Sequence, residues 1–277
     1  MEKLDLDTII KYVNDLPSLP HLVNEIIQLT DDPKVTARDI NEVLSRDQGL
    51  AAKTLRMANS AYYGFSRHIS TVKEATICLG LKTVRSIVMA TSVNDMLNKK
   101  LEGYGLDKGK LWEHSQYSAI IAKQLSNKAK KAGFEPEVAY TAALLHDIGK
   151  IILNDTMKNA YPEVVDLVNN KCVTFTEAEA DVMGFDHAMA GARVVERWNL
   201  PSELVEAIAC HHAPELAGEH IQLATIIFIA NAIALRLEKN SSLELTDLLQ
   251  YKKYLDLVGL DIEETLKIVS EIGPFEV

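Results

Sequence analysis

The chain has 277 residues, of which 47% are hydrophobic and 25% are charged. These are ordinary globular fractions, and they exclude a disordered, collagenous or low-complexity chain. Lys and Arg number 29 against 39 Asp and Glu, so the net charge is −10. A negatively charged protein repels phosphate backbones and anionic lipids, so we expect no nucleic-acid or membrane partner. A local basic pocket is compatible with this net charge.

Cysteine usage and hydropathy indicate a cytoplasmic protein. The three cysteines, Cys78, Cys172 and Cys210, are far apart in the sequence. They therefore support neither a disulfide framework nor a cysteine zinc motif, as is typical of a reducing compartment. The N-terminus has no apolar segment of signal-peptide length, and the most apolar stretch, residues 224–235, is short and contains Asn231. We expect neither an export signal nor a membrane span.

Hydrophobic residues recur with the 3.6-residue period of helices, and no alternating Val/Ile/Thr segment is flanked by hairpin turns. The sequence therefore predicts an all-α protein. Thr36 has the position of an N-cap, with Asp39 near the place of the capping-box acid. Helices are expected at about residues 22–29, 37–44, 50–58, 72–98, 111–131, 136–146, 157–169, 176–182, 187–198, 202–210, 219–237 and 245–270.

A glycine-containing break divides the helical pattern. Residues 101–109 include three glycines, and glycine between periodic segments marks a loop. We place a domain boundary here. The first domain, residues 1–105, is expected to be a helical bundle, and the second, residues 106–277, a separate helical core.

The segment with the clearest chemistry is residues 142–150 (AALLHDIGK). An apolar helix ends there in His146 and Asp147, and Gly149 can adopt a positive φ to end it. A carboxylate next to an imidazole suits a pair of metal ions, because the carboxylate can bridge both ions while the imidazole binds one. Taken alone, the same residues are equally well explained as a capped helix end.

Other histidines stand near expected helix ends, where a helical bundle could bring them to one pocket. They are His114, His187, His211, His212 and His220. A single histidine among apolar neighbours is usually a satisfied core residue, but this series favours a metal site. Imidazole-rich sites with one bridging carboxylate suit transition metals, so we expect one or two ions of iron, manganese or zinc.

The histidine series resembles the ligand motifs of the HD superfamily of metal-dependent phosphohydrolases. A narrower resemblance, to the HDOD domain, the bacterial HD-related output domain, covers about residues 12–235. It is carried by residues 16–20 (LPSLP), 45–50 (SRDQGL), 55–61 (LRMANSA) and 75–81 (ATICLGL). The resemblance implies that residues 106–277 form an HD-like metal-binding core joined to an HDOD-type bundle. It also implies a role in bacterial signal transduction, in a family where many members have lost the metal ligands.

The resemblance further implies two groups of metal ligands that share one carboxylate. The first group is His114, His146 and Asp147. The second group is Asp147, His187, His211 and His212. Lys150 is expected near a substrate phosphate, which makes Asp147 and Lys150 the candidate catalytic residues.

Three departures from the family pattern matter. Asn231 stands where active HD enzymes have a final aspartate ligand, and a neutral amide binds metal more weakly than a carboxylate. If Asn231 is a ligand, Asn231→Asp should raise metal affinity; the alternative is that Asn231 caps a buried carbonyl of a neighbouring helix. No Gly-Tyr-Pro motif follows His212, unlike in the branch that hydrolyses cyclic di-GMP. Lys110 replaces the glutamate of trinuclear relatives, so at most two ions are expected.

Two functions follow from these observations. One is a regulatory protein that keeps most of the HD metal site and acts through a protein partner in a signalling pathway. The other is a metal-dependent phosphohydrolase of a nucleotide, cyclic nucleotide or other phosphate ester. The retained ligands favour the enzyme, whereas Asn231 and the N-terminal resemblance favour the regulator. A phosphorylated small molecule is an expected ligand in either case.

Two further motifs allow other interpretations. Residues 36–58 could imitate a helix-turn-helix, but acidic and basic side chains are equal in number between Asp39 and Arg56. A DNA-recognition helix would be more basic, so DNA binding is not predicted. Cys210 could join a zinc site beside His211, but a buried thiol is the favoured interpretation, because adjacent helical residues point about 100° apart.

Overall fold

The computed structural model describes residues 11, 18–30, 32–65, 67–239 and 243–272. Residues 16 and 17 of the first N-terminal motif lie outside this part of the chain. Throughout these ranges the regular structure is helical, and no β-strand occurs in them; an isolated bridge pairs Leu101 with Leu106. The predicted all-α fold is confirmed.

The chain divides into two compact units, one formed by Ser18–Met96 and the other containing Leu97–Val277. Residues 101–109 belong wholly to the second unit. The domain boundary at residue 105 stays a prediction.

The described part of the first unit contains five α-helices, the last of which ends at its border. They are α1 (His21–Thr30), α2 (Ala37–Leu44), α3 (Gln48–Ala58), α4 (Val72–Leu79) and α5 (Leu81–Leu97). The capping box at the start of α2 is confirmed, since the Thr36 backbone N–H donates to Asp39 Oδ2 at 2.8 Å. The helical pattern expected over residues 72–98 forms two helices, because Gly80 adopts a φ of 85° and ends α4.

The second unit contains the remaining described helices. They are α6 (Lys110–Lys128), α7 (Pro136–Leu145), α8 (Gly149–Lys171), α9 (Phe175–Met183), α10 (His187–Arg197), α11 (Ser202–Ala209), α12 (Ile221–Glu238), α13 (Leu245–Leu249), α14 (Lys252–Val258) and α15 (Ile262–Ile272). Helices α6, α7 and α12 pack against one another at the centre. The helix expected over residues 245–270 is divided into three, and Gly259 ends α14 with a φ of 77°.

Helix α12 is long and apolar enough to cross a membrane by length and composition alone. In the structure more than half of it is buried inside the protein, with Ala224, Ile227 and Ala234 fully covered. Its apolar character is therefore accounted for by the helical core, in which it packs against α6 and α7.

Gly149 differs from its predicted role. It does not have a positive φ and is the first residue of α8 instead of the end of α7. A Cβ atom at Gly149 would overlap the backbone carbonyl of His187. The glycine is therefore needed for the close approach of α8 to α10, not for a left-handed turn.

The segment at residues 101–109 is folded onto α8. It contains the 3-10 turn Glu102–Tyr104, in which the Gly103 N–H donates to Asn154 Oδ1 at 3.0 Å. A Cβ atom at Gly103 would collide with the Asn154 carbonyl, so glycine permits this contact. The loop expected here is thus present, but it is held against the helical core and not an open linker.

Candidate metal centre

One cluster in the second unit contains six of the side chains singled out in the sequence. His114 projects from α6, His146 and Asp147 lie in the turn between α7 and α8, and His187 begins α10. His211 and His212 follow the end of α11. His114, His146, Asp147, His187 and His211 are buried. Four separate chain segments therefore deliver the cluster to one place in the core.

The crossing of α8 and α10 brings two of these segments together. Gly149 lies against the His187 carbonyl, and a Cβ atom on Gly191 would stand 3.2 Å from the Gly149 nitrogen. A side chain at Gly149 would force the two backbones apart, whereas one at Gly191 would require only small shifts. The glycine pair thus places the turn that carries Asp147 beside the start of α10.

The first group of nitrogen and oxygen atoms surrounds one oxygen of Asp147. Asp147 Oδ2 is 3.5 Å from His114 Nε2 and 3.4 Å from His146 Nε2. The two Nε2 atoms are 3.3 Å apart. His114, His146 and Asp147 can therefore offer three ligand atoms to one ion.

The second group surrounds the other oxygen. Asp147 Oδ1 is 3.1 Å from His187 Nε2 and 3.9 Å from His211 Nε2. His212 Nε2 completes the group, 2.9 Å from His187 Nε2. Within each group the ligand atoms lie within 4.8 Å of one another. Asp147 stands between the groups, as a bridging carboxylate would.

Backbone carbonyls fix the orientation of two rings. His146 Nδ1 donates to the Ala143 carbonyl at 2.6 Å, and His211 Nδ1 donates to the Ile208 carbonyl at 2.7 Å. Since a carbonyl only accepts, the proton of each neutral imidazole is on Nδ1. Their Nε2 atoms consequently carry lone pairs directed at Asp147, which is the tautomer that binds metal through Nε2.

Two carboxylates that the sequence analysis missed orient further rings. His114 Nδ1 lies 2.8 Å from Glu238 Oε1, and His187 Nδ1 lies 2.6 Å from Glu179 Oε2. The Tyr104 hydroxyl donates to the other oxygen of Glu179 at 2.7 Å. Carboxylate–histidine pairs of this kind accompany ligands in many metal sites. The sequence feature that could have identified Glu179 is that it is an acidic residue among the apolar, buried positions of α9.

The pKa values of the imidazoles separate into two classes. The pKa of His211 lies well below its usual value, mainly because of burial and then because of the neighbouring His212. Burial and the neighbouring His187 lower the pKa of His212 to about 3. Burial also lowers the pKa of His187, but Glu179 outweighs it and raises that pKa to about 9. The low pKa values leave His211 and His212 neutral at pH 7, whereas the carboxylate of Glu179 raises the basicity of His187.

Asp147 is ionised in spite of its burial. Burial raises its pKa, but the nearby His146 and Lys150 outweigh this effect and hold the pKa well below the usual value. Lys150 Nζ lies 2.6 Å from Asp147 Oδ2. The lysine expected beside a substrate phosphate thus makes its contact with the carboxylate, which places it at the edge of the cluster.

The donor set fits a metal ion. Among the described residues, Asp147 Oδ1 and His211 Nε2 are buried with no hydrogen-bond partner. An unpaired buried polar atom costs about 1–3 kcal/mol, and the lone pairs of neighbouring imidazoles repel one another. Cations between these atoms would remove both costs. Nitrogen ligands with one carboxylate suit iron, manganese or zinc.

Three other residues from the sequence analysis lie outside the two groups. Asn231 lies on α12 and lines a cavity together with His212; its role as a ligand stays a prediction. His220 precedes α12, with its Nε2 3.7 Å from Glu206 Oε2. Cys210 is a half-buried thiol whose pKa is raised by burial. Neither His220 nor Cys210 belongs to the groups that the described residues form.

Glu179→Gln is expected to weaken manganese binding about 10–100-fold, because the amide holds the His187 ring less firmly and lowers its basicity. Manganese titration of the purified variant measures the effect. Glu177→Gln is the matched control, since Glu177 caps the same helix from its exposed end. Equal affinities of the two variants would refute the positioning role of Glu179.

The family model that matches the chain is that of the HDOD domain, over residues 16–214. A solved structure named "Putative phosphohydrolase", from Shewanella amazonensis SB2B, is 26% identical, with a TM-score of 0.76 over 96% of this chain and 94% of that chain. An HDOD domain protein of unknown function from Geobacter sulfurreducens is 28% identical, with a TM-score of 0.74 over 97% of this chain and 94% of that chain.

A curated relative is longer than this chain. An uncharacterized protein of Treponema pallidum (strain Nichols) is 26% identical over an alignment of 233 positions that covers 79% of this chain and 42% of the relative. The chain thus spans less than half the length of that relative.

Proposed function

This chain belongs to the HDOD domain family, and we propose that it is a regulatory protein of signal transduction whose HD-type centre binds one or two transition-metal ions. The observation that carries the proposal is the convergence of histidine Nε2 atoms on the two oxygens of the buried Asp147. Carbonyls orient two of these rings and carboxylates two others, so the ligands are arranged before any ion arrives.

Asp147 is the ligand shared by both ions in this proposal. His114 and His146 hold the first ion, and His187, His211 and His212 hold the second. Ions bound there would polarise a phosphoryl oxygen of a bound ligand. Lys150 adds positive charge at the edge of the centre and pairs with Asp147 Oδ2 until an anionic ligand competes for it.

Three features support a regulatory role over turnover. Asn231 replaces a carboxylate of active HD enzymes, Lys150 is engaged by Asp147, and the family resemblance is to an output domain. The proposed partners are a protein of a signalling pathway and a phosphorylated small molecule, with neither nucleic acid nor membrane. The net charge of −10 supports the exclusion of nucleic acid and membrane. We propose a cytoplasmic location on the composition alone.

A metal-dependent phosphohydrolase is the second candidate. The observation in its favour is the buried His/Asp cluster, with one carboxylate placed between two ligand groups. Paired metals around a shared carboxylate are suited to displacement at phosphorus. The solved relative named "Putative phosphohydrolase" is consistent with this alternative.

Metal content and turnover test the proposal together. We expect the purified chain, reconstituted separately with manganese, iron and zinc, to retain at least one ion per chain in elemental analysis. In a panel of phosphate monoesters, nucleotides and cyclic nucleotides, we expect no turnover above the metal-only background. Sub-stoichiometric metal after reconstitution would refute the metal centre. Turnover on the order of 1 s⁻¹ or faster, typical of enzymes, would replace the regulatory proposal by the hydrolase.

A further inference from the structure

A turn near the start of the second unit reaches the metal centre from outside the two ligand groups. Leu101 and Leu106 exchange two backbone hydrogen bonds, of 2.9 and 3.0 Å, which close this turn. Gly105 has a left-handed conformation there, with a φ of 65°. The 101–106 turn follows shortly after Leu97, which ends α5 and begins the second unit. The chain therefore passes through this turn as it enters the unit that holds the metal centre.

The 101–106 turn is docked on α8 by contacts that do not involve the metal ligands. The Gly103 N–H donates to Asn154 Oδ1, and Glu102 Oε2 lies 3.3 Å from Lys158 Nζ. Leu101 is buried, so apolar contact adds to these polar contacts. The position of the turn is thus set by α8 and does not depend on the metal centre alone.

Tyr104 extends from the docked turn to the second ligand group. Its hydroxyl donates to Glu179 Oε1 at 2.7 Å. The other oxygen of Glu179 accepts two hydrogen bonds from His187, one from the backbone N–H at 3.2 Å and one from Nδ1 at 2.6 Å. The Tyr104 and His187 rings also stand edge to face, with their centroids 6.5 Å apart. The turn is therefore connected to a ring whose Nε2 faces Asp147.

The Tyr104 hydroxyl fixes one side of a buried carboxylate. Glu179 has no exposed surface, so each of its oxygens needs a donor from the protein. His187 supplies the donors to one oxygen, and Tyr104 supplies the donor to the other. Without the hydroxyl the carboxylate would be held from one side only, and it would orient the His187 ring less firmly. The turn cannot leave α8 without withdrawing this hydroxyl.

We propose that Tyr104 is a positioning residue for the second ion, and that its hydroxyl couples occupancy of the metal centre to docking of the 101–106 turn. The inference deepens the proposed function, on which it rests for the ion. Coupling between two sites is reciprocal, so a docked turn that favours metal binding is itself held in place when metal is bound. Glu102 and Asp107 are exposed at this segment. Binding at a buried centre is thereby transmitted to a surface that a partner protein can contact.

Manganese titration of the full chain by calorimetry tests the positioning role. Tyr104→Phe keeps the ring and removes the hydroxyl, so we expect one manganese-binding step to weaken about fivefold, the effect of one hydrogen bond. The matched control is Tyr161→Phe, at an exposed tyrosine of α8, which should bind manganese like the parent. In a Glu179→Gln background Tyr104→Phe should have a smaller effect than in the parent, because the hydroxyl acts through that carboxylate.

Hydrogen exchange measured by mass spectrometry tests the coupling in the opposite direction. Manganese should slow exchange of the hydrogen-bonded amides of Leu101, Gly103 and Leu106 at least about fivefold in the parent, the lower end of ordinary coupling between sites. Tyr104→Phe should lose most of this protection.

Asn154→Ala is a second variant that leaves Tyr104 and the metal ligands unchanged. It removes the acceptor of the Gly103 N–H, while alanine is well tolerated in a helix. Because the turn is then held less firmly on α8, manganese binding should weaken in this variant also.

The outcomes separate failure of the inference from failure of the metal centre. Equal manganese affinities of Tyr104→Phe and Tyr161→Phe, or an effect of Tyr104→Phe that is the same in the Glu179→Gln background, would overturn the positioning role. Exchange of the turn amides that does not respond to bound manganese would overturn the coupling. A parent chain that binds no manganese would refute the metal centre and the inference together.

Discussion

Replacing Asp147 with alanine is expected to remove both metal ions at once. Each ligand group includes one oxygen of this side chain, and among the described residues no other ligand is shared by both groups. Loss of a residue that hydrogen-bonds a metal ligand typically weakens metal affinity 10–100-fold, and loss of the metal ligand itself should weaken it more. Elemental analysis of reconstituted Asp147→Ala should therefore give metal near background, while the parent retains at least one ion per chain.

Two further variants make the result interpretable. Asp147→Asn keeps the shape of the side chain and removes its charge, so it separates loss of a ligand from loss of packing. Asp155→Ala removes an exposed carboxylate on α8 and should retain the metal content of the parent. Loss of one ion and retention of the other in Asp147→Ala would show that this carboxylate does not bridge.

Gly149→Ala is expected to destabilise the second unit by about 4 kcal/mol, a large effect for a single methyl group. The new Cβ would occupy the position of the His187 backbone carbonyl, and neither backbone can rotate away as a side chain can. Separation of α8 from α10 would also move Asp147 away from His187. Urea unfolding measures the free energy of unfolding, and manganese titration of the folded fraction should show weaker binding.

Gly191→Ala is the matched control at the same crossing. Its Cβ would have its nearest contact at 3.2 Å from the Gly149 nitrogen, which small shifts can accommodate. Gly191→Ala also gains about 1 kcal/mol of helix propensity, because Gly191 is inside α10, while the gain is smaller at Gly149, the first residue of α8. Gly191→Ala should remain within about 1 kcal/mol of the parent. Similar stabilities of the two variants would show that the close approach at Gly149 is not required.

Local patterns in the sequence were sufficient for the helices and for the list of candidate ligands. Helix α2 was predicted with its observed ends, because Thr36 and Asp39 form a cap from neighbouring residues. His114, His146, Asp147, His187, His211 and His212 were likewise selected from their positions at helix ends and from a family resemblance. These properties depend on residues close together in the chain, so the sequence alone determined them.

The tertiary structure decided which side chains support the centre and how Gly149 acts. Glu179 and Glu238 contact rings 8 and 124 residues away in the chain, and Tyr104 reaches Glu179 across 75 residues. Gly149 was assigned to a helix end from its neighbours, whereas its actual constraint is the carbonyl of His187 on another helix. Asn231 similarly lines a cavity together with Tyr251, which belongs to a later segment. Contacts of this kind depend on how helices cross, and the helical period of one segment carries no information about its neighbour in space.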